Sequence, residues 1–442
     1  MPFELAGRRV TVMGLGRFGG GVGAVNYLLR QGAIVTVTDL LPESALAQSL
    51  AQLRPAATGQ LQLQLGRHDE RDFREADLVV VNPAVKPGNP FVATALACGV
   101  PVTSELNLFW ERQRGQIIAV TGTVGKSTTS ALIAHMLRSD SNGRVRLGGN
   151  IGTSLLSEVD QIEPEDWTIL EVSSFQLELL APLCPRPEIG VITNFFPNHL
   201  DWHGSVEHYR QAKQRLIAHL SPGQFFVTPV GGEPVNWSTD GQRMLVDVDD
   251  SLGFTWSWSR QLPGRHNRQN VALALAACSD CLGLDRSRCM ESLTTFEPLP
   301  HRLELIGEHL GRSIYNDSKA TTPEAAIEAL NAFASPIRLI AGGADKGVSL
   351  GEMAKEIIQR AASASLIGAT ADLLASQILE IDASFPVARH ATLAAAANCE
   401  WLRSDSGDVV LLSPGCASFG EFQNYEERGL RFRQWLAELA AQ

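Results

Sequence analysis

Short apolar runs recur along the chain, and most of them are followed by glycine or polar residues and then by a helical pattern. A continuous apolar run is typical of a strand that is buried on both faces of a parallel sheet. The runs that stand out are Arg8–Met13, Ala33–Thr38, Leu78–Val81, Ile117–Val120, Trp167–Val172, Ile189–Ile192, Ser313–Tyr315, Ile337–Ala341, Leu366–Ile367 and Val409–Leu412. Strands that alternate with helices in this way predict the α/β class with doubly wound sheets.

The length of the chain and the grouping of these runs predict three domains. At 442 residues the chain is too long for a single hydrophobic core. We expect a Rossmann-like N-terminal domain over residues 1–112, a central P-loop ATPase domain with a mostly parallel sheet over residues 113–297, and a C-terminal Rossmann-like α/β domain over residues 298–442.

The most informative stretch is Ile117–Leu137, which predicts a buried strand, a glycine loop and a helix in that order. The loop reads GTVGKST over residues 122–128. Glycines let backbone N–H groups converge on phosphate oxygens, and the N-terminus of the helix adds partial positive charge. Lys126 can reach the terminal phosphates of a nucleotide, and the hydroxyl of Ser127 can hold Mg²⁺. Because Gly122 lies only three residues before Gly125, an ordinary nucleotide kinase or GTPase fits this loop less well.

A second glycine loop follows the first predicted strand. It reads GLGRFG over residues 14–19, and Asp39 closes the next strand twenty residues after Gly19. This pattern is typical of a dinucleotide-binding loop with an acidic partner for the ribose, and by itself it proposes NAD. The same loop serves other nucleotide diphosphates or none, so the ligand stays open at this point. Asn82, in the turn after Leu78–Val81, lies at the carboxyl edge of the sheet, where ligands bind.

Polar residues also follow the strands of the central domain. Glu171 lies at the end of the run Trp167–Val172, and His199 lies just beyond the run Ile189–Ile192. Because the carboxyl ends of parallel strands share one edge of a sheet, we expect Lys126, Glu171 and His199 to converge. A carboxylate suits Mg²⁺, and a partner for a helix N-cap is the alternative role of Glu171.

For four further polar residues, the first interpretation is an ordinary structural role. Lys213 lies in a predicted amphipathic helix over Tyr209–Leu220, where a lysine is normally solvated. His203 is expected to be a solvated loop histidine. Asn267 and Asn270 lie about one turn apart on another predicted helix, where capping explains an asparagine without any ligand.

Composition and charge narrow the class of protein. A hydrophobic fraction of 44% with 19% charged residues is that of a globular protein, and a net charge of −11 argues against a nucleic-acid surface. The sequence contains no run of about 18 apolar residues that would predict a membrane span. The N-terminal segment lacks the pattern of a signal peptide. Seven scattered cysteines suit reduced thiols, so we expect a cytoplasmic protein with no membrane or nucleic-acid partner.

A set of motifs that spans all three predicted domains resembles the motifs of the Mur ligase family, in the family's order. They are GTVGKST (122–128), GGNIG (148–152), LEVSSFQLE (170–178), NHLD (198–201), YRQAK (209–213), GRHNRQN (264–270), PHRLE (300–304), NDSKATTP (316–323), GGADKG (342–347) and LSPGCASF with NYEERG (412–429). NDSKATTP and SPGCASF resemble the branch of the family that adds D-glutamate. The family's N-terminal domain binds the UDP of the substrate, so the resemblance implies UDP and not NAD at residues 14–19.

The resemblance implies an ATP-dependent amide ligase of peptidoglycan precursor synthesis. Such an enzyme phosphorylates the carboxylate of UDP-N-acetylmuramoyl-L-alanine with ATP, and D-glutamate then attacks the acyl phosphate. ATP and two Mg²⁺ ions are the implied cofactors, and a monomer is the expected state. Phosphoryl transfer depends chiefly on positioning and charge neutralisation, which a phosphate loop, a lysine and two metal ions can supply. Lys346, Thr321 and Ser418 offer one cation and two hydroxyls, which suit an amino acid with a distal carboxylate.

The resemblance also implies the site residues, position by position. Catalytic roles fall to Lys126, Glu171, His199 and Lys213. Mg²⁺ would be held by Ser127, Glu171, His199 and Lys213, the last as a carbamate formed with CO₂. ATP would contact Gly122, Thr123, Val124, Gly125, Lys126, Ser127, Thr128, Asn267, Asn270, Arg302 and Asp317. The UDP-substrate would contact Gly14, Leu15, Gly16, Asp39, Asn82 and Asn150, and the amino acid would contact Lys319, Thr321, Lys346, Ser418 and Tyr425.

Several positions depart from the usual pattern of the family. Val124 stands where the family usually has asparagine. Leu40 and Leu41 stand where polar contacts to the uridine nucleotide are common. Asn82-Pro83-Ala84 replaces the usual Ser-Pro-Gly, and Tyr425 replaces a common phenylalanine.

Three other functions stay open on the sequence. Another ligase of the superfamily would add a different amino acid such as L-glutamate, or would be a folylpolyglutamate synthetase. An NAD-dependent oxidoreductase with an accessory P-loop would bind NADH at residues 14–19 and would not turn over ATP. A catalytically silent UDP-sugar-binding scaffold is the third alternative, and the presence of four residues argues against it: Lys126, Glu171, His199 and Lys213.

Overall fold

The computed structural model describes residues 3–17, 19–55, 57–140, 143–152, 154–248 and 260–441. Three sheets, all rich in parallel strands, confirm the predicted α/β class. The chain divides into two compact units, Met1–Ser251 with Asn270–Ser292, and Leu252–Gln269 with Leu293–Gln442. The first unit holds two sheets and the second unit holds the third. The domain boundaries near residues 112 and 297 stay predictions.

The first sheet is parallel throughout, with the strand order β3-β2-β1-β4-β5. Its strands are β1 (Arg9–Met13), β2 (Ile34–Asp39), β3 (Leu61–Leu65), β4 (Leu78–Val81) and β5 (Val102–Ser104). The helices that connect and follow them are α1 (Gly20–Arg30), α2 (Glu43–Leu50), α3 (Glu70–Arg74), α4 (Pro90–Ala97) and α5 (Glu105–Arg112). The first glycine loop lies between β1 and α1, although Phe18 of that loop falls outside the described residues.

The second sheet is also parallel, with the order β11-β10-β9-β6-β8-β7. Its strands are β6 (Gln116–Thr121), β7 (Val145–Gly149), β8 (Trp167–Glu171), β9 (Ile189–Ile192), β10 (Phe225–Pro229) and β11 (Gln242–Val246). The accompanying helices are α6 (Lys126–Asp140), α7 (Ser174–Leu180), α8 (Leu200–His203), α9 (Val206–Gln214), α10 (Arg265–Leu275) and α11 (Arg286–Ser292). The predicted helix over Tyr209–Leu220 therefore begins earlier and ends earlier than the pattern indicates, because turns replace it after Gln214.

The third sheet has the order β12-β13-β17-β14-β15-β16, and only the edge pair β12 and β13 is antiparallel. Its strands are β12 (Glu304–His309), β13 (Arg312–Asn316), β14 (Ile337–Gly342), β15 (Ala361–Ile367), β16 (Val387–Arg389) and β17 (Val409–Leu412). Its helices are α12 (Pro323–Leu330), α13 (Gly351–Arg360), α14 (Ala371–Ile381), α15 (Leu393–Arg403) and α16 (Tyr425–Ala440).

The central strands are buried on both faces, which is why they read as continuous apolar runs. β4, β9 and β17 consist of buried residues from end to end. In the first unit, one continuous apolar core joins side chains of both sheets, such as Val10 and Leu170. Two separate cores cover the two faces of the third sheet. No helix in the described ranges is both long and apolar enough to cross a membrane.

The strand orders fix where ligands can bind. In the first sheet, β1 lies between β2 and β4, and in the second sheet β6 lies between β8 and β9. At each of these points the chain crosses from one face of the sheet to the other, so the loops that leave the carboxyl ends diverge and open a crevice. Both glycine loops begin at these crevices.

Candidate active site

The phosphate loop leaves β6 and ends where α6 begins, at Lys126. The Lys126 ammonium donates to the carbonyl oxygens of Gly122 at 3.1 Å and Thr123 at 2.8 Å. Gly125 has a φ of 85°, and a Cβ there would lie 2.4 Å from Asn270 Oδ1, so only glycine fits at this position. The structure therefore places Asn270 directly against the loop. The first N–H groups of α6, which include those of Ser127 and Thr128, have no partner within the helix and are available to an anion.

A hydroxyl and a carboxylate lie together at the start of α6. Ser127 Oγ donates to Glu171 Oε2, and Asn150 Nδ2 donates to Glu171 Oε1 at 2.8 Å. Only 1% of Glu171 is exposed. The cap of α7 is Ser173, with Gln176 completing the capping box, so the alternative role of Glu171 as a cap partner is wrong. Hydroxyl and carboxylate oxygens are the ligands that Mg²⁺ prefers, usually one or two of them together with substrate phosphates.

Lys213 is buried, and the expectation of a solvated lysine is wrong. Only 1% of its surface is exposed, because the helix α9 turns this side chain inward beside Tyr209. The Lys213 ammonium donates to the carbonyl oxygen of Gly122 at 2.7 Å. Burial, and secondarily the charge of Lys126, hold the pKa of Lys213 well below its usual range. The sequence does contain the signal, since Lys213 and Tyr209 are four residues apart on the apolar stripe of α9.

Two histidines pack on the ring of Phe175. His199 has a left-handed φ of 54°, and its ring centroid lies 4.9 Å from that of Phe175. Burial lowers the pKa of His199, and the charges of the two lysines described above lower it further. His203 is buried, with Nε2 2.9 Å from Ser174 Oγ and its ring stacked on Phe175 at 5.5 Å. The expectation of a solvated His203 is therefore wrong, and burial lowers its pKa to about 4.

The first glycine loop has different surroundings. The backbone N–H of Gly16 donates to Asp39 Oδ2 at 3.1 Å, and that of Leu41 donates to Asp39 Oδ1 at 2.9 Å. Asn82 lies against the loop, since a Cβ on Gly14 would come within 3.0 Å of Asn82 Cβ. The side chain of Leu15 is fully buried, so only its backbone can meet a ligand. The structure thus brings together the end of β1, the end of β2 and the turn after β4.

The second unit carries the residues that were predicted to contact the amino acid. Lys319 Nζ lies 3.7 Å from the centroid of the Tyr425 ring, which is a cation–π contact. Thr321 and Lys346 line one small pocket between the loops after β13, β14 and β17. Ser418 is buried in the loop after β17. Lysines, hydroxyls and the Asp345 carboxylate therefore meet at one edge of the third sheet.

The same edge carries a buried carboxyl group. Asp317 accepts from Ser413 Oγ at 2.8 Å and from the backbone N–H of Leu303 at 3.1 Å. Burial raises the pKa of Asp317 to about 7, and the nearby charge of Arg302 acts against this rise. The Asn267 side-chain amide donates to a backbone carbonyl oxygen at 2.8 Å, in keeping with a structural role at the start of α10.

Sequence reasoning missed two polar side chains that hold these loops. Arg428 is fully buried, and its guanidinium donates to Ser318 Oγ at 3.0 Å and to the carbonyl oxygens of Ser318, Cys416 and Ala417. It therefore ties the loop after β13 to the loop after β17. The available signal was its spacing of three residues from Tyr425 on α16. The second residue is Asn194, which follows β9 and accepts hydrogen bonds from the backbone of the phosphate loop at Thr123 and Val124.

Comparison with known proteins identifies the family. Three models of Mur ligase domains match the chain: the MurD-like N-terminal domain at residues 8–104, the middle domain at residues 120–240 and the glutamate ligase domain at residues 301–416. A UDP-N-acetylmuramoylalanine–D-glutamate ligase of Roseiflexus sp. (strain RS-1) is 37% identical, over 98% of each chain. The chain belongs to the Mur ligase family. A ligase of the same name from Koribacter versatilis (strain Ellin345) is 34% identical to this Mur ligase, over 99% of each chain.

Solved structures show the same fold. The UDP-N-acetylmuramate-alanine ligase MurC from Thermotoga maritima matches this Mur ligase with a TM-score of 0.61. The match covers 98% of this chain and 99% of that chain at 18% sequence identity. At this identity the similarity concerns the fold alone, and it agrees with the three sheets described above.

Proposed function

We propose that this Mur ligase is an ATP-dependent enzyme that joins D-glutamate to UDP-N-acetylmuramoyl-L-alanine in peptidoglycan precursor synthesis. The observation that carries the proposal is the group formed by Lys126, Ser127, Glu171 and Lys213 at the carboxyl edge of the second sheet. Full-length similarity to ligases named for D-glutamate supports the choice of substrates.

The reaction takes place in two steps. A carboxylate oxygen of the UDP-substrate attacks the γ-phosphorus of ATP, the bond to the β–γ bridging oxygen breaks, and ADP leaves. The amine of D-glutamate then attacks the acyl carbon, the bond to the phosphate oxygen breaks, and the amine loses a proton. In the first step, Lys126 and the N–H groups at the start of α6 would hold the phosphates and neutralise the charge that shifts between oxygens.

The residues present fit Mg²⁺, which would neutralise charge on the phosphate oxygens when bound. Ser127 and Glu171 supply a hydroxyl and a carboxylate in contact with each other. His199 would serve a second ion. Burial lowers the pKa of Lys213 and so favours the uncharged amine, and an uncharged amine can attack CO₂ to give a carbamate with loss of a proton. Such a carbamate would turn a buried lysine into an anionic group beside Gly122.

The amino-acid site would recognise two carboxylates. Lys346 and Thr321 line the small pocket at the edge of the third sheet, and Lys319 lies over Tyr425 close by. A cation in such a pocket favours a side-chain carboxylate and disfavours a side-chain ammonium, because like charges repel. We also propose that the enzyme acts as a monomer and that it works in the cytoplasm, which its seven free cysteines support.

The decisive experiment measures phosphate release from ATP in the presence of Mg²⁺ and UDP-N-acetylmuramoyl-L-alanine while the amino acid is varied. We expect turnover with D-glutamate and none with D-alanine or L-lysine, because the lysine of the pocket would be left without a carboxylate. Faster release with L-glutamate or L-lysine would overturn the substrate and leave the ligase mechanism standing. Binding of NADH without ATP turnover would instead support an oxidoreductase.

A pair of lysine variants tests the amino-acid pocket. Lys346→Ala should chiefly raise KM for D-glutamate, since it removes a charge from the pocket. The matched control is Lys355→Ala, on the exposed face of α13, where the lysine pairs only with Glu352 at the surface. Equal effects of the two variants on KM would remove Lys346 from the site.

A further inference from the structure

The side chain of Asn194 lies against the phosphate loop and contacts its backbone at three points. Asn194 Oδ1 accepts from the backbone N–H groups of Thr123 at 3.1 Å and Val124 at 3.0 Å. Asn194 Nδ2 donates to the carbonyl oxygen of Val124 at 3.0 Å, and Thr193 Oγ1 donates to the same oxygen at 2.5 Å. One side-chain amide therefore fixes the peptide groups of two consecutive loop residues.

The sheet dictates this contact. Strand β9 pairs in parallel with β6, with Thr121 opposite Ile192, so Thr193 and Asn194 leave the sheet beside the loop. The approach is very close, since a Cβ on Gly122 would lie 1.9 Å from Thr193 Oγ1. Gly122 has a φ of 149°, and glycine accepts both this conformation and this proximity. The first glycine of the loop is thus explained by the neighbouring strand.

The contact divides the loop into two parts. The N–H groups of Thr123 and Val124 are bonded to Asn194, whereas the N–H groups at the start of α6 face outward from a helix N-terminus. An anion would therefore meet the second part, where Lys126 begins the helix. The side chain of Val124 carries no polar group, so the loop depends on a residue from another strand to fix its shape.

We propose that Asn194 is a positioning residue for phosphoryl transfer. Its amide sets the path of the loop at Thr123 and Val124 before the nucleotide binds, so that the start of α6, which carries Lys126, is already in place for the terminal phosphates. Asn194 contacts the backbone of the loop, so the effect we assign to it is preorganisation. This inference rests on the proposed function, because it assumes that ATP binds at this loop.

The same geometry would also allow Asn194 to compete with ATP. The two roles predict opposite changes in ATP affinity when Asn194 is removed. Two consecutive N–H groups that converge on one oxygen also form an anion-binding nest, in which Asn194 Oδ1 would take the place of a phosphate oxygen. A positioning residue strengthens ATP binding, so its removal weakens binding. A placeholder competes with ATP, so its removal tightens binding.

The test compares Asn194→Ala with Thr228→Val. Thr228 Oγ1 donates to the carbonyl oxygen of Ile192 at 3.0 Å, so its valine variant also removes a buried hydrogen bond at the carboxyl end of β9 without touching the loop. Titration calorimetry gives Kd for a non-hydrolysable ATP analogue, and phosphate release gives KM and kcat. We expect Asn194→Ala to raise Kd and KM for ATP at least about tenfold, to change KM for the UDP-substrate little, and to differ in both respects from Thr228→Val.

An unchanged or lower Kd for the analogue in folded Asn194→Ala protein would overturn the proposal. A rise of equal size in Thr228→Val would also overturn it, since that result indicates a general loss of stability. If Asn194→Ala does not fold, Asn194→Ser keeps a polar group that is too short to bridge the same contacts, and the same criteria apply. Wild-type protein that binds the analogue but releases no phosphate would contradict the proposed function, and the comparison of Kd values would still decide the role of Asn194.

Discussion

The two glycine loops of the first unit occupy equivalent positions and differ in the side chains that surround them. Each loop follows the strand at which the strand order of its parallel sheet reverses, and each leads into a helix. At the first loop, the neighbouring strand supplies a carboxylate, and Asp39 accepts the N–H of Gly16. At the second loop, Lys126 and Lys213 both donate to the carbonyl oxygen of Gly122.

This difference shows what a glycine motif can and cannot specify. The glycines permit the tight turn and the close approach of backbone to ligand in both loops. The chemistry comes from the neighbouring elements: the end of β2 places an acceptor at the first loop, whereas α6, α9 and the end of β8 place two lysines, a hydroxyl and a carboxylate at the second. The first loop suits the hydroxyl groups of a nucleoside, and the second suits a triphosphate with its metal ions.

The largest effect is expected for Lys213→Ala at the second loop. The variant removes the hydrogen bond from α9 to the carbonyl oxygen of Gly122, and it removes the site of the proposed carbamate. We expect phosphate release to fall to near background and short carboxylic acids such as acetate to restore part of it. The control is Lys355→Ala. High activity without added acid would return Lys213 to a purely structural role.

Lys126→Ala should have the next largest effect. Loss of one preorganised charge at the transferring phosphate reduces kcat by about 10²-fold or more. The control is Lys355→Ala, which removes an exposed lysine of α13 and should leave kcat unchanged. Near-normal phosphate release by Lys126→Ala would show that the second loop takes no part in phosphoryl transfer.

A smaller effect, on the UDP-substrate instead of ATP, is expected at the first loop. Asp39→Asn replaces one of the two carboxylate oxygens with an N–H₂ group, so either Gly16 or Leu41 loses its acceptor. We expect KM for the UDP-substrate to rise several-fold, which corresponds to the loss of about one hydrogen bond, and KM for ATP to stay the same. Steady-state kinetics with each substrate varied in turn checks this. A change in KM for ATP alone would reverse the assignment of the two loops.

The smallest effect concerns the segment that joins the two sheets. Burial raises the pKa of Glu105 to about 7, and the hydrogen bond from Ser154 acts against this rise. The folded protein therefore keeps a proton that the unfolded chain loses at lower pH, so this contribution to stability is lost as pH rises toward and beyond about 7. Denaturant unfolding should show a weaker decline between about pH 5 and pH 8 in Glu105→Gln than in the wild type. The exposed Glu70→Gln serves as the control, and identical declines in all three proteins would contradict the prediction.

The strands and loops follow from the sequence because they depend on local pattern. The runs at Leu78–Val81, Ile189–Ile192 and Val409–Leu412 are strands with the predicted bounds. The convergence of Glu171 with the start of α6 also follows, since parallel strands share one edge and Ser127 there bonds to Glu171. The roles assigned to the site residues remain predictions.

The remaining features depend on contacts between distant parts of the chain. The burial of Lys213 depends on how α9 packs against a loop 91 residues earlier. Its spacing from Tyr209 marks the buried face of α9, but it does not identify that loop as the partner. The same holds for Arg428, whose partner Ser318 is 110 residues away. In both cases most of the buried partners are backbone carbonyl groups, which every sequence position carries, so the residue types around the lysine or arginine do not mark them.

The most direct test of the account measures the binding of two ligands to three proteins by titration calorimetry. The ligands are a non-hydrolysable ATP analogue and UDP-N-acetylmuramoyl-L-alanine, and the proteins are the wild type, Lys126→Ala and Asp39→Asn. We predict that Lys126→Ala loses affinity for the ATP analogue alone and that Asp39→Asn loses affinity for the UDP-substrate alone. Loss of both ligands in either variant, or binding of NADH at the first loop of the wild type, would contradict the claim that the two loops serve different nucleotides.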